Sequence, residues 1–296
     1  MNHLIVGPST HGVTAYALAL AEAVNAPVLR EETFSDNPLP SGPVHVTFTD
    51  HLLGPSPADA VDALLARLGD RPFSISLHDI PQPEEGEDRF SRRAAAYRRV
   101  ADAATLAVVN SRHEASFFDG DPTVIRLPIP RIESTFDPVP GTVGVLGYLY
   151  PGKGHEDLIS SLGGSHTLRF LGSVSPGHED WAKRLAPYAE ITGWIDDAQL
   201  AVEMGRTEVP VCAHRHFSAS GSLMTWLGAG RTVLATDSAY TREIDEWLPG
   251  RVTLVADGDW AAATEAFEPQ VVEPPVYGWV EVAEEWRKAW AACGLT

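Results

Sequence analysis

The chain has 296 residues, 44% of them hydrophobic, which is enough for two packed domains and too apolar for wholesale disorder. Its 40 acidic and 22 basic side chains give a net charge of −18. That charge argues against a nucleic-acid partner and disfavours anionic membranes, and with no apolar run near the length of a bilayer span any membrane contact is expected to be peripheral at most. The two cysteines, Cys212 and Cys293, are far apart and sit in no Cys/His ligand spacing, so no structural zinc site is expected.

His3–Val6 reads as a buried strand, followed by a glycine-bearing turn, Gly7 to Val13, and an Ala/Leu-rich helix from Ala15 to Val24. The opening residues lack a charged region and a long apolar core, so a signal peptide is not expected and the predicted location is the cytoplasm. Val44–Phe48 is a second strand, Ala58–Leu68 a helix, and Phe73–Leu77 a strand running into His78-Asp79. Arg89–Ala104 is helical, and Thr105–Val109 is a strand ending at Asn110-Ser111. Ser111 with Glu114 has capping-box spacing. Thr123–Leu127 is a further short strand. Strand–helix alternation of this kind predicts a parallel sheet covered on both faces.

Pro128, Pro130, Pro138, Pro140 and Gly141 mark a linker. Alternation then restarts. Strands are expected at Val143–Leu146, Thr167–Leu171, Ala189–Thr192, Val209–Ala213 and Thr232–Thr236, with helices after Lys153, around Trp181–Leu185, from Ala198 and over Leu223–Ala229. A Trp-rich amphipathic helix, Tyr277 to Cys293, closes the chain. Its Trp279, Trp286 and Trp290 form one stripe, which suits core packing better than sugar stacking.

The most informative stretch is Gly147-Tyr148-x4-Lys153-Gly154, set between an apolar strand and a helix. Lys153 is one of three lysines in a chain with 19 arginines. A glycine-rich turn with one ammonium at a helix start is a common phosphate cradle; the alternative is a surface loop lysine. The arginines of residues 89–99 suit either an anionic ligand or a solvated helix balanced by Glu84, Glu85, Glu87 and Asp88, and the solvated helix is the simpler reading.

Taken together, the two Rossmann-like halves, the proline-rich hinge and the terminal Trp helix resemble the GT-B glycosyltransferases, most closely retaining family 4. The likeness covers most of the chain. It is carried by His11-Gly12-Val13, Leu77-His78-Asp79, Val109-Asn110-Ser111, Gly147-Tyr148-x4-Lys153-Gly154, Gly193-Trp194-Ile195, Gly230-x5-Thr236-Asp237 with Glu243, and Tyr277-Gly278-Trp279 with Val282-Ala283. Two departures stand out. Tyr148 replaces an expected arginine, and Phe217 and Thr225 occupy the positions of the family's paired glutamates.

The resemblance implies an α/β GT-B fold: an acceptor-side domain over 1–135, a nucleotide-sugar-binding domain over 136–275, a facing cleft, and a 276–296 helix returning to the first domain. It implies transfer of a hexosyl group from a UDP- or GDP-linked sugar to an unidentified acceptor, with retention, without a metal ion and without a further cofactor. The acceptor would be a sugar, a lipid-linked molecule or another small molecule. His78, Lys153 and Arg215 are the candidate catalytic residues. Gly12, Tyr148, Gly154, Gly193, Trp194, Ser218, Ser220, Gly221, Ser222, Leu223, Asp237 and Glu243 are the candidate donor-binding ones. Arg215 would supply the positive charge that Tyr148 does not, and Ser218 to Ser222 would present hydroxyls and helix-start amides to a diphosphate. Other roles stay open for some of these residues. His78 suits a backbone-bonded strand end as well, Asp237 and Glu243 suit capping and surface solvation, and Gly12 suits a plain turn. The lost glutamate pair leaves a non-catalytic sugar-nucleotide binder or accessory subunit as the alternative. A GT-B epimerase fits the Ser-rich loop poorly.

Overall fold

A computed structural model describes residues 1–256 and 258–295. By internal contacts the chain separates into two units, Met1–Pro128 with Tyr277–Thr296, and Ile129–Val276.

In the first unit, strands β1 (Asn2–Val6), β2 (Val28–Glu31), β3 (Val44–Phe48), β4 (Phe73–Leu77), β5 (Leu106–Val109) and β6 (Thr123–Val124) form a six-stranded parallel sheet in the order β2-β1-β3-β4-β5-β6. Helices α1 (Gly12–Val24), α2 (Asp50–Leu53), α3 (Pro57–Leu68), α4 (Glu87–Ala103) and α5 (Arg112–Ala115) connect them. Strands β3 and β4 are buried along their whole length, as expected of central parallel strands covered on both faces. Helix α3 begins where Ser56 Oγ accepts from Asp59 N and Pro57 fills the first turn. Helix α1 ends at Asn25, which takes the left-handed conformation at φ +56°. Strand β2 carries no apolar run, because it is a half-exposed edge strand, and its pattern did not predict it. The strand expected over Thr123–Leu127 is only two residues long, since its ladder ends with Ile125 N on Val109 O and prolines follow.

The second unit holds β7 (Thr142–Leu146), α6 (His155–Leu162), β8 (Thr167–Leu171), α7 (Glu179–Leu185), β9 (Ala189–Ile191), α8 (Asp197–Arg206), β10 (Val209–Cys212), α9 (Gly221–Gly228), β11 (Val233–Thr236), α10 (Ala239–Trp247), β12 (Val252–Val255) and α11 (Trp260–Ala266). Its parallel sheet runs β12-β11-β10-β7-β8-β9. Numbered from β7, that is the 3-2-1-4-5-6 order of a doubly wound nucleotide-binding sheet, with its reversal between β7 and β10. No helix of the described residues is long and apolar enough to cross a membrane.

The last helix, α12 (Trp279–Ala292), returns to the first unit and lies against α1. Val282, Trp286 and Trp290 pack with Leu20, Leu106, Val108 and Ile125. Beneath the tryptophans sit two buried histidines. His45 Nδ1 lies 2.9 Å from Ser74 Oγ, which also accepts from Trp290 Nε1 at 2.9 Å. The His3 ring lies 4.7 Å from that of His45 and is 1% exposed. Burial holds His3 near pKa 4 and His45 well below the usual imidazole range, so both are neutral in the fold.

A histidine depressed in the fold and ordinary when unfolded stabilises the protein above about pH 6.5 and loses that contribution as pH falls towards 4. His3 alone accounts for up to about 3 kcal/mol of this loss. Urea midpoints measured between pH 8 and 4.5 should fall less steeply in His3→Leu than in the wild type.

Candidate functional site

The sheet order places two loops at the reversal point of the second unit, one after β7 and one after β10. In open α/β sheets ligands bind at this position. Strand β7 ends at Leu146, and Gly147 turns the chain at φ +104°. The loop returns through Lys153, and Gly154, at φ +73°, starts α6. A side chain at Gly154 would run into the Ala213 carbonyl at the end of β10, so glycine is needed for the two loops to meet.

Lys153 is 6% exposed. Among the described residues its one side-chain hydrogen bond runs from Nζ to Leu146 O at 2.8 Å, with the Tyr150 ring 6.0 Å away. Among the described residues no carboxylate pairs with it. Burial lowers its pKa to about 8 and raises that of neighbouring Cys212 to about 12. His155 is pushed down to about 3 and His214 well below its ordinary range, first by burial and then by the Lys153 charge. Lys153, Cys212, His155 and His214 together therefore carry one positive charge and no negative one, which suits an anion.

The loop after β10 supplies donors. Ser220 caps α9, accepting from Leu223 N at 3.2 Å, and its own amide bonds Tyr240 Oη at 3.0 Å. Ser220 Oγ and Ser222 Oγ lie 3.1 Å apart. The first-turn amides of Gly221 and Ser222 have no acceptor among the described residues, as helix starts leave them. A β-carbon placed on Gly147 would stand 2.5 Å from Lys153 Nζ and 3.8 Å from Ser222 Cβ. Lys153, Gly147, Ser220 and Ser222 are thus brought into one place.

Other expected residues fall differently. Arg215 was expected to face the anion, but its guanidinium holds both oxygens of Asp157 in the first turn of α6. Asp237 holds Arg242 through two bonds, at 2.6 and 2.8 Å. Glu243 is buried in α10. Gly193 turns at φ +72°, and Trp194 beside it is 73% exposed. Tyr148 is partly exposed on the β7 loop, and His216 Nδ1 lies 3.1 Å from Ser218 Oγ. Two members of this neighbourhood escaped the sequence reading, Tyr240 and Asp157. For Tyr240 a signal existed, since Ser238 and Thr241 form a capping box that starts α10.

In the first unit, His78 directly follows β4 and is 8% exposed. Its Nε2 lies 3.0 Å from Ser76 Oγ, and its ring is 4.6 Å from Tyr16. Burial lowers its pKa to about 4 against the opposing pull of Asp79, so the imidazole is neutral. Gly12 opens α1, with free space where a β-carbon would stand. Ser111 caps α5 through Glu114 N, while the Glu114 carboxylate accepts from Asn110 N.

No protein-family model and no curated protein sequence matches the chain. Solved structures do match in fold. HepE from Anabaena, in complex with UDP and glucose, aligns with TM-score 0.71 and 15% identity over 98% of this chain and 99% of its own. Sucrose-phosphate synthase from Thermosynechococcus elongatus aligns at 0.65 with 14% identity over 99% and 96%. AviGT4, a glycosyltransferase involved in Avilamycin A biosynthesis, aligns at 0.64 with 15% identity over 99% and 97%. The two parallel sheets with flanking helices are those of the GT-B fold.

Because Lys153 titrates near pH 8 and only its charged form attracts an anion, diphosphate affinity should be flat below that pH and fall above it. Calorimetric titration of UDP from pH 6.5 to 9.5 measures this, and Lys153→Arg should move the fall to higher pH.

Proposed function

We propose that the chain is a glycosyltransferase that moves a hexosyl group from a UDP- or GDP-linked sugar to an acceptor, with retention and without a metal ion. One observation carries this reading: a buried ammonium without a carboxylate stands beside the open amides of α9 at the reversal of a nucleotide-binding sheet. These groups suit the negative charge that develops on a departing diphosphate, which fixed donors stabilise best when they need not reorganise. HepE, whose fold this chain shares, was crystallised with UDP and with UDP-glucose.

The family resemblance implies attack by the acceptor on the face the diphosphate leaves, with a leaving phosphate oxygen taking the acceptor's proton. It gives His78 the role of orienting the transferred sugar, and a neutral imidazole suits hydrogen bonding to a hydroxyl. In this reading Lys153 is the main cation, and Arg215 contributes only by exchanging Asp157 for phosphate.

A second reading, a non-catalytic sugar-nucleotide binder, draws on Phe217 and Thr225 at the glutamate-pair positions. Thr225 Oγ1 is turned back to Gly221 O at 2.8 Å within α9. UDP-, GDP- and ADP-sugars should separate the two: nucleotide release with a panel of acceptors supports the transferase, and binding without any turnover supports the binder.

UDP or GDP at 100 times its dissociation constant should stabilise the wild type by about 2.7 kcal/mol. Thermal-shift measurements should show this rise, and Lys153→Ala should abolish it. A shift that survives in Lys153→Ala removes the lysine from the donor site.

A further inference from the structure

The strand ends of the first sheet hold a second chain of polar groups whose proton directions follow from one fixed donor. Val13 N–H donates to His11 Nδ1 at 3.2 Å, so the proton of a neutral His11 ring sits on Nε2. That Nε2–H faces His51 Nε2 at 3.0 Å, which must accept. His51 then carries its proton on Nδ1 and donates to Thr49 Oγ1 at 3.1 Å. Thr49 donates its hydroxyl proton to Asp79 Oδ2 at 2.9 Å. The chain runs one way, from a backbone amide to a carboxylate. It engages all four ring nitrogens, so neither histidine keeps a lone pair for a metal ion or a substrate proton. The remaining acceptor is Asp79 Oδ1, which receives no bond among the described residues.

Asp79 is also one of two non-glycine residues with a left-handed backbone among the described residues, at φ +51°. Such a conformation carries strain and persists only where the surroundings over-determine it. Here they do. Tyr97 Oη donates to His78 O at 2.8 Å, and Arg93 Nη2 donates to Asp79 O at 2.8 Å. Arg93 is itself buried and paired with Asp50, at 3.0 Å, and with Glu85. Ile80 is buried immediately beyond. The fold therefore fixes the backbone on both sides of an exposed carboxylate and orients that carboxylate from behind by a chain of neutral donors.

We propose that Asp79 binds a hydroxyl of the acceptor, which is a neutral polyol. The free oxygen accepts an O–H, and its negative charge disfavours an anionic ligand. The side chains linked to Asp79 (Thr49, His51 and His11) are polar, and Gly12 next to His11 leaves open space. This assignment rests on the transferase reading for the word acceptor, but its test does not need a nucleotide.

Saturation-transfer NMR of the full chain with glycerol, D-glucose and myo-inositol, without nucleotide, gives the test. At least one polyol should bind the wild type, and Asp79→Asn and Asp79→Gly should each weaken it at least about tenfold, as expected for a lost bond to a charged group. Asp79→Gly should melt no lower than the wild type, because glycine takes this backbone without strain. That result separates lost binding from lost folding. Polyol binding unchanged in both variants, or absent in the wild type, overturns the proposal. A missing UDP shift in the wild type overturns the donor reading alone.

Discussion

A lysine ammonium closed into protein needs a counter-charge, and here the described residues supply only a carbonyl. Lys153 is buried between the ends of β7 and β10, bonded to Leu146 O, with histidines that its charge helps keep neutral. Burying an uncompensated charge is unfavourable, and the lowered pKa records that cost. The arrangement is coherent if an anion completes it. The geometry around it follows from that need. Gly147 leaves room for the ammonium, Gly154 lets the loops meet, and Ser220 ends its own capping bond where the next amides open.

The first unit solves a different problem at its own strand ends. Its polar groups are tied together by hydrogen bonds of fixed direction, and its cation, Arg93, is neutralised by Asp50 and Glu85. A hydrogen-bonded surface with one carboxylate suits hydroxyls, whereas the positive charge at the strand ends of the second unit suits phosphate. The basic run on α4 fits the same picture. Arg93 is internal, Arg89 reaches Glu85 and Arg99 reaches Asp62, so the run is largely a structural and solvated face.

Much of this was legible in the sequence, because parallel strands buried on both faces read as apolar runs and glycine-rich turns follow them. The return of the tryptophan helix was implied by the family resemblance, while the two sheets, the helix after Lys153 and the α9 start came from such patterns. The elements that escaped lack them. Strand β2 is a half-exposed edge and β12 and α11 are short, while α10 is a capped amphipathic helix that went unread after the last motif.

Residue types and their spacing alone determined that Lys153 and Ser220–Ser222 sit at strand-to-helix turns, since local sequence sets turns and caps. Tertiary structure decided the partners. Only the fold shows that Arg215 turns to Asp157, 58 positions away, or that Thr49 and Asp79 meet across 30. A side chain's charge is local, but whether that charge is neutralised or left open depends on which distant strands are neighbours.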